Sequence, residues 1–115
     1  MRLVKALIIS LSLLYVDQCF AYTGNELYRD MLEFKKYENG VNYNSGGANF
    51  YMGYVSGFSA SYIEGVTICI GTGNITTGQL SNVVAQYINQ HPEMLHLPAF
   101  YLVDSALKRS FPCKK

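Results

Sequence analysis

A chain of 115 residues with nine basic and eight acidic side chains has a formal net charge of +1, and room for one small domain around a single core. So even a charge balance provides no electrostatic case for nucleic acid or an anionic membrane surface. The first residues look like an address rather than part of the fold. Arg2 and Lys5 form a positive n-region, Ala6 to Val16 is apolar and uncharged, and Cys19-Phe20-Ala21 ends in a small residue, as signal peptidase requires. The apolar run is too short to span a bilayer comfortably, which favours a cleaved signal peptide, residues 1–21, over an uncleaved anchor. Gln18 before Cys19 is too large for lipoprotein processing. Removing the first 21 of 115 residues leaves 94, and losing Arg2, Lys5 and Asp17 balances the charges at seven and seven. The expected product, residues 22–115, is a soluble exported domain with no membrane contact after cleavage.

Thr23 to Lys36 is predicted to be the first helix, capped by Thr23 or Asn25. Glu26 suits its positive end and Lys35 and Lys36 its negative end. Leu27, Met31 and Phe34 (or Leu32) make its apolar stripe. From Tyr37 to Asn49 the chain reads YENGVNYNSGGAN, an Asn/Gly-rich loop. It is either a mobile connector or, through Tyr37 and Tyr43, a recognition surface. Helical spacing returns from Phe50 to Val66, with Gly53 and Gly57 four apart. Each glycine costs up to about 1 kcal/mol relative to alanine in a helix, so close approach of a neighbouring helix is expected there, within the monomer rather than across a dimer. Val66 to Ile70 allows a short extended piece. Gly71 to Asn74 is a turn, and Asn74-Ile75-Thr76 matches a glycosylation acceptor, relevant only in a eukaryote.

Thr76 with Gln79 forms a capping box, after which Leu80, Val83, Val84, Tyr87 and Ile88 mark one helix face. His91-Pro92 ends that helix and Pro98 opens another at a first-turn position. Ala99, Leu102, Val103, Ala106 and Leu107 line its apolar face, Lys108 and Arg109 suit its last turn, and Pro112 stops it. The fold class is therefore all-α, a small bundle of four main helices. Without Cys19, the remaining Cys69 and Cys113 read as one disulfide in an exported domain rather than two free thiols.

Chemistry is sparse. His91 and His96 flank Glu93, but the prolines break the spacing that would place them on one face, and no further ligand is evident. No metal or other cofactor is expected. Both cysteines are better used in the disulfide than as nucleophiles, and no phosphate-binding loop is present, so a binding protein is favoured over an enzyme. Ten tyrosines and six phenylalanines suit both a small core and an interface. The binding surface is placed on Tyr37, Tyr43 and Asn44 in the loop, and on Glu93 and Met94, carried outward by the proline-bounded turn.

GNEL at Gly24–Leu27, GYVSG at Gly53–Gly57, TTGQL at Thr76–Leu80, HPE at His91–Glu93, PA at Pro98–Ala99, LV at Leu102–Val103 and the terminal FPC together resemble the Rap/Tai immunity proteins. The likeness covers nearly all of the expected mature chain in one order. It implies a helical periplasmic protein that neutralises a type VI secretion effector attacking peptidoglycan, of the amidase type. Relatives of this kind often dimerise, which leaves a homodimer open. Many members carry cysteines where this chain has Met31 and Tyr51, so one complete disulfide is missing here. The rival reading is a small periplasmic acid-stress chaperone, also helical with a single disulfide.

Overall fold

A capping box starts the first helix of the domain, α1 (Gly24–Glu38). Thr23 accepts from the Glu26 amide at 3.4 Å, and Glu26 Oε2 accepts from the Thr23 amide at 2.9 Å, so Thr23 rather than Asn25 is the cap. The helix runs two residues past Lys36 and ends in a Schellman motif. The amide of Gly40 donates to Tyr37 O and that of Val41 to Lys36 O, while Gly40 holds φ +68°, the left-handed conformation glycine adopts without a Cβ penalty.

The computed structural model describes residues 2–5, 21–61, 68–71 and 74–113. After α1 come α2 (Ser45–Ala60), α3 (Thr77–Gln90), a 3-10 turn at Pro92–Met94 and α4 (Ala99–Ser110). Residues 2–5 of the expected leader are helical; residues 6–20, including the Ala6–Val16 run, lie outside the described residues. Among the described residues, no helix is long and apolar enough to cross a membrane. This is the expected all-α bundle.

One boundary differs substantially from expectation. The connector between the first two helices is only Asn39 to Asn44, because α2 starts at Ser45 rather than Phe50. Asn44 caps it, accepting from Gly47 N at 3.0 Å, and the Asn44 amide donates to Glu33 Oε2 at 2.7 Å. Tertiary contact overrides the low helix propensity of Gly46-Gly47: a Cβ at Gly47 would lie 3.2 Å from Asp30 Oδ1 and Glu33 Cγ. The helix ends at Ala60, and residues 62–66 of its expected span lie outside the described residues, as do 72 and 73 of the next turn.

The glycine pair is a second correction. Gly53 and Gly57 are exposed, and among the described residues a Cβ at either would meet nothing within 4 Å and no helix approaches there. The close approach occurs at Gly24, where a Cβ would sit 2.7 Å from Leu102 Cδ1 and from the Leu95 carbonyl oxygen.

The core draws on every helix. Leu27, Met31 and Phe34 on α1 meet Tyr51 and Val55 on α2, Val84 and Ile88 on α3, and Leu102, Val103 and Leu107 on α4. Leu32 is 41% exposed, so Phe34 completes the α1 stripe. Tyr51 is fully buried and donates to the Ser81 carbonyl at 2.7 Å, satisfying a hydroxyl that would be costly to leave unpaired. Met31 is equally buried, so it and Tyr51 are core side chains on neighbouring helices. Thr23 and Pro98 pair in an antiparallel bridge, with Gly24 N donating to Leu97 O and Ala99 N to Tyr22 O, both at 2.8 Å. Pro98, with ψ 142°, flanks α4 as its N-cap. Cys69 and Cys113 are joined across 44 residues with a Cα separation of 4.9 Å. The Cys69 amide also donates to Phe111 O at 2.9 Å; of the expected extended piece, residues 66 and 67 lie outside the described residues.

Candidate partner-binding surface

The corner after α1 presents an ordered aromatic pair. Tyr37 on the last turn and Tyr43 in the connector meet edge to face, with centroids 5.3 Å apart. They are 49% and 39% exposed, and Val41 between them is 54% exposed. Their positions are held from below. Glu33 grips the Asn44 amide and accepts from Lys36 Nζ at 2.8 Å; these bonds, the amide's first, hold the Glu33 carboxyl below its ordinary value. Asn44 itself is exposed, but its Oδ1 is committed to the cap.

The turn between α3 and α4 is a second ordered projection. His91 stacks on Tyr87 with centroids 4.0 Å apart. Its Nδ1 donates to the Tyr87 carbonyl at 2.8 Å, which closes the last turn of α3. Glu93 and His96 are exposed. Met94 is not carried outward as the sequence suggests. It is half-buried against the core, and its sulfur accepts from Tyr87 Oη at 3.4 Å. The 3-10 turn is short enough to fold this flexible thioether back onto α3.

The fold keeps these two candidate patches apart. The turn abuts the start of α1, through Leu95 and Leu97 against Gly24. Tyr37 lies 13 residues further along the same helix, about 20 Å at 1.5 Å per residue. Tyr37, Tyr43 and Asn44 therefore form one locality and Glu93 and Met94 another.

A third feature has no counterpart in the sequence reading. An open groove of about 460 Å³ runs between α1 and the start of α2, lined by Arg29, Asp30, Glu33, Asn44, Gly46, Gly47 and Phe50. Asp30 is only 6% exposed; it accepts from Tyr22 Oη at 2.7 Å and from Arg29 Nε at 3.2 Å. Burial, and then the bond to Asp30, hold the Tyr22 phenol well above its ordinary value. The available sequence signal was Asp30 itself, a charge beside the Leu27–Met31–Phe34 stripe. Among the described residues, no three His, Cys, Asp or Glu side chains converge in a metal-binding group.

No curated protein and no solved structure matches this chain. The family model described as Rap1a immunity proteins matches residues 23–113. That span begins at the Thr23 cap, takes in all four helices, and closes on the cysteine that bridges back to Cys69. With the match covering most of the chain, this protein belongs to the Rap1a family of immunity proteins.

Proposed function

We propose that the protein is a periplasmic inhibitor that binds a peptidoglycan-degrading effector of the amidase type and blocks its action. Membership of the family carries the coarser part, a type VI secretion immunity role that neutralises a cognate effector. The observation supporting direct obstruction is the pinned aromatic corner. Tyr37 and Tyr43 are large, exposed and ordered by Glu33 and Asn44, so little conformational entropy opposes docking. Export to the periplasm places the inhibitor where its target wall lies, and the Cys69–Cys113 bridge suits that oxidising compartment. Glu93, exposed on the 3-10 turn, supplies a second contact in this reading, at the far end of α1.

The test co-expresses type VI secretion effectors of the amidase class, directed to the periplasm, with wild-type chain or alanine variants of Tyr37, Tyr43, Asn44 and Glu93. Tyr43→Ala should cost on the order of 2 kcal/mol, about thirtyfold in affinity, and should weaken protection of the cells. Full protection by all four variants would move the interface elsewhere. Retention of residues 1–21 in the exported protein, read by intact mass, would count against the periplasmic assignment.

A further inference from the structure

We infer that the Ala21–Tyr22 peptide bond is a processing site that folding closes: the leader is cut only while the domain is unfolded, and a precursor that folds first stays uncut. This rests on the export reading above and deepens it by fixing the order of processing and folding. The step is a hydrolysis, in which water adds across that bond and leaves a carboxylate on Ala21 and an amine on Tyr22.

The small residue that suits a signal peptidase is Ala21, and it is exposed. Tyr22, on the other side of the bond, is half-buried and joined to three helices at once. Its Oη donates to Asp30 Oδ2 on α1 at 2.7 Å, and Asp30 is itself buried. Its ring centroid lies 5.0 Å from that of Phe50 and 5.0 Å from that of Tyr54, both on α2. Its carbonyl accepts from the amide of Ala99, the first residue of α4, at 2.8 Å.

The next two residues are committed as well. The Thr23 amide donates to Glu26 Oε2 at 2.9 Å, the Thr23 carbonyl accepts from the Leu27 amide at 2.9 Å, and Thr23 pairs with Pro98. The Gly24 amide donates to Leu97 O at 2.8 Å. A peptidase holds its substrate as an extended strand across the scissile bond, with the residues just after the cut inside its cleft. Tyr22 and Thr23 reach that state only by giving up the Asp30 bond, the Ala99 bond and the α1 cap together. Cutting of a folded chain therefore waits for local opening, and its rate follows the population of the open form. The obstruction lies on the mature side of the bond, in the domain's own packing.

The test incubates the oxidised full-length chain with a purified signal peptidase in detergent micelles and follows cleavage by intact mass. Leu107→Asp puts a charge at a fully buried position, remote in sequence from the cut, and supplies the unfolded reference. Circular dichroism checks which chains are folded. The unfolded reference should lose residues 1–21 at least about tenfold faster than folded wild type. Asp30→Ala removes the acceptor for Tyr22 Oη and leaves the residues around the cut unchanged, so this variant, folded, should be cut at a rate between the two. Folded wild type that is cut as fast as Leu107→Asp overturns the closed junction and leaves export and the immunity role standing. An unfolded reference that is not cut after Ala21 removes the processing site itself, and the cleaved leader with it.

Discussion

Two glycine sites in this protein carry opposite physics. At Gly24 the backbone of Leu95 comes so close that a Cβ would lie 2.7 Å from its carbonyl oxygen and 2.8 Å from its Cα. Those are backbone atoms, tied by the Gly24–Leu97 hydrogen bond and the Thr23–Pro98 bridge, so they cannot swing aside. Gly24→Ala should cost about 1–3 kcal/mol, the usual penalty of overpacking. Gly53 and Gly57 are helical, and among the described residues a Cβ at either would meet nothing within 4 Å. Gly53→Ala or Gly57→Ala should stabilise by about 0.5–1 kcal/mol through helix propensity. Urea melts of the three variants read the contrast directly; destabilisation at Gly53 would mean something in the molecule does cover that face.

At the scale of elements, the helices are joined at their ends by side chains that cross from one to the next. Glu33 ties α1 to the cap of α2. Across α1 and α3, Lys35 Nζ donates to Asn82 Oδ1 and to Glu38 Oε2, both at 2.8 Å, and Asn82 Nδ2 donates back to Glu38. For Glu38, burial pushes the carboxyl up, but the hydrogen bonds from Lys35 and Asn82 outweigh it and the net direction is down. Glu33 also lies below its ordinary value of 4.5, chiefly through the Asn44 amide. A carboxylate with a depressed folded-state value contributes stability that is complete above its unfolded value and disappears as pH falls through the folded one. Acidification below 4.5 should therefore loosen the α1–α2 corner, and Glu33→Gln should flatten that acid branch of the melting temperature against pH. An unchanged acid branch would show that the Glu33 contact is held equally well by the neutral acid.

Across the whole molecule, the covalent tie is the Cys69–Cys113 bridge, which encloses α3, the 3-10 turn and α4 within its 44-residue separation. Loop-closure entropy puts its contribution at about 4 kcal/mol, a large share of the net stability of so small a domain. Cys113→Ser should accordingly lower the melting temperature markedly, while thiol titration of the unfolded, unreduced wild type should find no free thiol in the mature domain. A wild-type melting curve would show the bridge to be energetically idle, with the Cys69–Phe111 hydrogen bond and the α4 core face sufficient to hold the end of the chain. The same architecture places the candidate surfaces: α1 separates the aromatic corner from the His91–His96 turn by its own length, so a partner touching both must span that helix.

Much of this protein is written in local chemistry. The cap at Thr23, the capping box at Thr76, the apolar face of α4, the break at His91-Pro92 and the cysteine pair each follow from residues close in sequence or from compartment logic, and each has a form the sequence allows. The Schellman end at Gly40 was also readable, since Glu38-Asn39-Gly40 is a helix stop followed by the residue that tolerates positive φ. What local chemistry could not decide was the start of α2, where Gly46-Gly47 argues against a helix until α1 packs close enough to require residues without a Cβ. The same holds for which glycines are crowded, for the inward turn of Met94, and for the meeting of Arg29, Asp30 and Phe50 in one groove. Those outcomes depend on distances between helices, and periodicity along one helix contains no information about what stands opposite it.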